Sequence, residues 1–106
     1  MPENRPVAYI VATVTVSDPE RFRAYQALAR PCVEAYDGWF MASSEAVVPL
    51  EGGWRPQRLV LVGFDSLARC REFYDSPAYQ AAIRARMGAA RLDIIAVEGL
   101  TPARPA

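Results

Sequence analysis

EGGWRPQRLVLVGFDSLARCREFYDSPAYQ, residues Glu51 to Gln80, is the stretch whose reading decides the fold. Glu51-Gly52-Gly53 turns the chain, and Trp54-Arg55-Pro56 follows. Arg58 to Phe64 is nearly all apolar, which predicts a strand covered on both faces. Ser66 is placed to cap a helix whose inner stripe is Leu67, Cys70, Phe73 and Tyr74. Asp75-Ser76-Pro77 interrupts that helix, because the residue before a proline disfavours helical backbone. Ser76 then caps a second segment running to about Ala89, with Tyr79, Ile83 and Met87 on one face.

Upstream, Val7 to Val16 is rich in β-branched residues and reads as the first strand. Its two faces, Ala8, Ile10, Ala12, Val14, Val16 and Val7, Tyr9, Val11, Thr13, Thr15, are both largely apolar, so both need a cover. Asp18-Pro19-Glu20 opens a helix: Asp18 caps, Pro19 loses nothing at the first position, and Glu20 suits the positive end. Phe22, Tyr25, Leu28 or Ala29, Cys32 or Val33, and Tyr36 recur at helical spacing. Pro31 lacks the N–H that would reach the carbonyl of Ala27, so a kink or restart is expected there. Asp37-Gly38 closes the helix, with Gly38 expected in the left-handed position.

The second strand is expected from Trp39 to about Leu50. Because it would contain Pro49, which cannot donate to a central ladder, it belongs at a sheet edge. Arg91 to Glu98 is the last strand, and the tail GLTPARPA, without apolar period, is expected to be frayed. The order βαββαβ with right-handed crossovers gives an antiparallel four-stranded sheet ordered 4-1-3-2, both helical layers on one face. The α+β class follows, as one domain over residues 1–106 with an ordered core at about 7–99.

Composition bounds the function. A chain of 106 residues with 52% hydrophobic and 23% charged content is an ordinary globular domain, not a disordered one. Twelve basic residues, all arginine, balance twelve acidic ones, so no basic footprint for nucleic acid or an anionic membrane exists. With no lysine, a Schiff-base mechanism is excluded. With no histidine, the commonest general base, zinc ligand and proximal haem ligand are missing, and no cofactor or metal is implied. Cys32 and Cys70 are too few for a disulfide framework and are expected as free, buried thiols. The apolar run after Arg5 alternates with Tyr9, Thr13 and Thr15 and meets Ser17-Asp18-Pro19, not a cleavage site. A cytoplasmic, non-membrane protein is therefore expected.

The face away from the helices would carry Tyr9, Val11, Thr13, Leu59 and Leu61, with Met41, Val47 and Ile95 as neighbours. Leaving it in water would forgo several kcal/mol at about 25 cal/mol per Å². A homodimer, sheet face against sheet face, is the expected solution.

These residues resemble the DUF1330 family of the dimeric α+β barrel (ferredoxin-like) superfamily, from about Val7 to Leu100. The resemblance rests on Asp18-Pro19, Glu51-Gly52-Gly53-Trp54-Arg55-Pro56, Phe64 with Ser66, Tyr74-Asp75-Ser76-Pro77-Ala78-Tyr79-Gln80 and Glu98-Gly99. It implies a ferredoxin-like fold and a dimer, and it carries over no catalytic role. The chain departs from the family pattern at Ala42-Ser43-Ser44, where an Arg-Gly-Gly-like segment is usual, and at Gly63, often acidic.

No catalytic constellation is legible. Tyr74, Ser76 and Tyr79 are accounted for by a helix break, a cap and half-buried rings. Glu45, Asp93 and Glu98 are the strand acids, without a partner for proton transfer. The expectation is a dimeric module holding a small apolar ligand between its two sheets, with Tyr9, Thr13 and Ser43 as polar fixtures and Trp54 at the rim. The alternative is a cofactor-independent oxygenase- or isomerase-like enzyme acting on an aromatic or quinone-like substrate, an inference by superfamily analogy.

Overall fold

The computed structural model describes residues 7–100. The polar lead-in and the expected frayed tail beyond Leu100 lie outside the described residues. The elements run β1 (Ala8–Val16), α1 (Pro19–Ala35), β2 (Trp39–Ser44), β3 (Arg58–Phe64), α2 (Leu67–Asp75), α3 (Pro77–Arg86) and β4 (Ala90–Glu98). They form one antiparallel sheet ordered β2-β3-β1-β4, the expected order read from the other edge.

Pairing register assigns every strand residue to a face. Ala8 opposes Phe64 and Glu98, Ile10 opposes Val62 and Ala96, and Ala12 opposes Val60 and Ile94. This alternate set meets the helices, and Ile10, Val14, Val62, Phe64, Phe22 and Phe73 form the centre of the core. The other set, Tyr9, Val11 and Thr13 with Leu61, Leu59, Ile95 and Val97, has no helix over it among the described residues.

The caps behave as their chemistry requires. Asp18 accepts from the N–H of Arg21 at 3.2 Å, and Ser66 from that of Arg69 at 3.0 Å. Ser76 ends α2 and begins α3: its buried hydroxyl donates to the Phe73 carbonyl at 2.8 Å and accepts from the Tyr79 N–H at 3.2 Å.

Four local expectations are corrected. First, of the kink or restart expected at Pro31, the restart does not occur, since α1 runs through as one helix. Ala27 and Pro31 are both exposed, so water can take the carbonyl that the proline leaves free. Second, the left-handed residue after α1 is Asp37 (φ 62°), not Gly38. Gly38 is required by space, since a Cβ there would stand 2.6 Å from Cε1 of Phe64. Third, α3 stops at Arg86, and Gly88 turns the chain at φ +81°.

The fourth correction matters most. Strand β2 ends at Ser44, not Leu50, so Val47 and Pro49 lie in the following loop. The Ser44 hydroxyl accepts from the N–H of Ala46 at 2.9 Å, and Val47 N–H turns back to the Glu45 carbonyl, which bends the backbone off the ladder. The strand is at an edge as expected, but Pro49 has no part in the reason.

Candidate functional site

A partly open cavity of about 130 Å³ lies between helices and sheet. Its floor is Ile10, Val60, Val62 and Ile94, and α1 closes it with Phe22, Tyr25 and Ala29. The α2–α3 arch adds Phe73, Tyr74 and Tyr79. Polar or charged atoms enter from Gln26, Arg30 and Ser43, and Arg30 lies over the Phe40 ring at 5.0 Å from its centroid.

Local structure sets the aromatic wall. Phe22 and Tyr25 share the inner stripe of α1, their ring centroids 5.5 Å apart. Tyr79 is held in the first turn of α3 by the Ser76 cap, and packs on Phe73 at 4.5 Å and on Tyr74 at 5.6 Å. The helices bring the two buried tyrosines together so that their hydroxyls share a hydrogen bond of 2.6 Å. Burial, then the neighbouring Tyr79, pushes the Tyr25 phenol far above its ordinary range, against an opposing pull from Arg86. Tyr25 is therefore a neutral phenol at physiological pH. The Arg86 guanidinium lies 5.1 Å from the centroid of the Tyr25 ring, and its buried Nε has no acceptor among the described residues. A larger, more open groove of about 600 Å³ follows on the β4 side, lined in part by Cys70, Arg71, Asp75 and Arg86.

The four residues expected to frame a ligand are not brought together. Tyr9 and Thr13 stand half-buried on the uncovered face, away from the cavity. Ser43 was expected beside them and is not there: a bulge at Met41 sets Phe40 opposite Val62 and Ala42 opposite Leu61, so Ser43 opposes Val60 on the helix side. There it lines the cavity and accepts from Nη1 of Arg58 at 3.4 Å. Trp54 is 64% exposed in the loop between β2 and β3 and touches neither the cavity nor the groove.

The strand acids are also outside the cavity. Glu45 pairs with Arg58 at 3.5 Å and Asp93 with Arg91 at 3.8 Å, both in exposed positions, and Glu98 is exposed at the end of β4. Cys32 and Cys70 are buried free thiols whose pKa is raised by burial. Among the described residues no group of three His, Cys, Asp or Glu side chains could hold a metal ion.

Sequence reasoning assigned Tyr25 and Tyr79 to core stripes and missed their pairing. The available signal was two tyrosines on inward stripes of elements that must pack together. A buried phenol needs a partner, and each could supply the other's.

The pattern of the family described as "Domain of unknown function (DUF1330)" matches residues 7–100. A comparison with curated proteins gives no match. Among solved structures, a protein of unknown function from Rhodopseudomonas palustris superposes with a TM-score of 0.69 at 20% identity, over 93% of this chain and 87% of that one. SnoaB, a cofactor-independent oxygenase from Streptomyces nogalater, gives 0.61 at 14% identity, over 96% and 97%. A dimeric protein of unknown function with a ferredoxin-like fold from Bacteroides fragilis gives 0.52 at 12%, over 90% and 98%. Identities this low establish the ferredoxin-like fold and carry no chemistry.

Proposed function

The chain belongs to the DUF1330 family, and from that premise we propose that it is a homodimer whose protomers each hold one small, largely apolar ligand between helices and sheet. The observation that carries the ligand reading is the cavity itself, with an apolar floor and aromatic walls that include the hydrogen-bonded Tyr25 and Tyr79. Titration calorimetry with small aromatic compounds should give saturable heat. If no apolar ring compound binds saturably, the reading fails.

The dimer reading is supported by the uncovered face, where Ile95 is 64%, Val97 46% and Met41 45% exposed, around half-buried Val11, Leu59 and Leu61. The Bacteroides fragilis relative, described as dimeric, has the same fold. In this arrangement Tyr9 and Thr13 face the partner sheet and supply the hydroxyls between the two sheets. Sedimentation at micromolar concentration should give twice the 11.7 kDa chain mass. A monomer would overturn this part. The proposed setting is the cytoplasm, where Cys32 and Cys70 stay reduced. Among the described residues no helix is long and apolar enough to cross a membrane.

A second reading is an oxygenase- or isomerase-like enzyme, working without cofactor on an aromatic or quinone-like substrate. It is favoured by the ring-lined cavity together with the SnoaB fold likeness. Oxygen uptake with dihydroxyaromatic substrates, without added cofactor, tests the oxygenase form. A rate no higher than the protein-free control returns the protein to the binding reading.

A further inference from the structure

The hydroxyl pair can be counted proton by proton. Tyr25 and Tyr79 each carry one O–H, and one of those protons lies in the 2.6 Å bond between the two oxygens. Whichever tyrosine donates, the other keeps a proton that makes no hydrogen bond to a described residue. Arg86, the polar neighbour at the Tyr25 ring, has only donors to offer. Both rings are buried, at 7% and 3% exposure, so an unanswered donor is costly there. The volume adds a size limit: an apolar cavity of about 150 Å³ accommodates one benzene ring, and this one has about 130 Å³.

Resting on the cavity reading above, we propose that the site selects single-ring aromatic compounds bearing one neutral acceptor oxygen, held by the proton that the Tyr25–Tyr79 pair leaves over. An aryl ketone or aldehyde has this shape: the ring fills the space over Ile10, Val62 and Phe73, and the carbonyl accepts from the pair. Because Tyr25 stays protonated, the donor persists across the physiological range. One ring matches the inner volume, and a fused system would have to extend through the open side of the cavity. This separates the site from one built for large polycyclic substrates.

Acetophenone and ethylbenzene, near-isosteric apart from the carbonyl, provide the test by titration calorimetry on the full chain. Acetophenone should bind about tenfold more tightly, the worth of one well-made hydrogen bond. The double variant Tyr25→Phe with Tyr79→Phe should lose that preference and keep ethylbenzene binding. Single variants should retain part of it, since the remaining hydroxyl still has its proton. Equal affinities in the natural chain overturn the donor inference and leave the cavity reading standing. Binding of neither compound overturns both. If the double variant does not fold, the infrared carbonyl stretch of bound acetophenone decides instead. A shift to lower frequency than in an alkane supports the bond, and an unshifted band overturns it. Binding of 1-acetylnaphthalene as tight as that of acetophenone overturns the size limit.

Discussion

The two faces of the sheet are built from the same kinds of residue and have different fates. On the helix side, Ile10, Val14, Val62 and Phe64 are at most 6% exposed, closed over by α1, α2 and α3. On the other side, Val11, Leu61 and Ile95 are as apolar, yet no helix among the described residues covers them. A sheet of four strands has area for one helical layer on each side, and this chain supplies one layer. The covered face is therefore where this protein stores folding stability and holds its inner cavity, and the open face is the one on which the proposed second copy would sit.

Neighbouring residues on β3 provide the sharpest way to break that comparison. Val62→Asp places an unpaired charge in the core and should cost about 4 kcal/mol or more, leaving the chain largely unfolded by circular dichroism. Leu61→Asp, one residue away on the open face, should leave a folded protein that sediments as a monomer. If both variants unfold alike, the open face is part of the folding core and not an interface.

Gly63→Ala probes how tightly the open face is itself packed. A Cβ there would lie 2.7 Å from Cζ2 of Trp39 and 3.2 Å from Sδ of Met41. Overpacking of this kind should cost about 1–3 kcal/mol in urea unfolding. This also gives a physical reason for the glycine at this position: the Trp39 ring occupies the side-chain space.

Alkaline titration probes the covered face. Tyr25 has a folded pKa raised above its ordinary value of 10.0, so its contribution to stability is fully present below pH 10. Above that, the unfolded chain loses a proton that the folded chain retains, and stability should fall by about 1.4 kcal/mol per pH unit. Tyr25→Phe should flatten that slope in denaturant melts between pH 10 and 11. The smallest effect is expected at Trp54. At 64% exposure, Trp54→Ala should change stability by no more than about 0.5 kcal/mol. A larger loss that depends on protein concentration would place the loop against the partner copy.

Much of this was legible without coordinates. Ser66, Ser76 and Asp18 are caps because hydroxyl or carboxylate oxygens answer N–H groups two or three residues away, a purely local matter. Alternation in β1 sorted its faces correctly because a strand has a strict period of two. The same rule misplaced Ser43, since one extra residue at Met41 inverts the phase beyond it. Nothing in Met41-Ala42-Ser43 announces a bulge. It arises between two strands, and its partner residues Val62 and Leu61 lie far along the chain.

By itself, then, the sequence determined the elements, their order, the sheet arrangement, the apolar character of both faces and the absence of histidine and lysine chemistry. Those properties depend on near neighbours, periodicity and residue type. Only the tertiary structure decided that a cavity lies under the helices, that Ser43 lines it, and that Tyr25 and Tyr79 meet in its wall. Each of these depends on the register or separation of segments distant in sequence, where a shift of one residue or a few ångströms changes which side chains share a space.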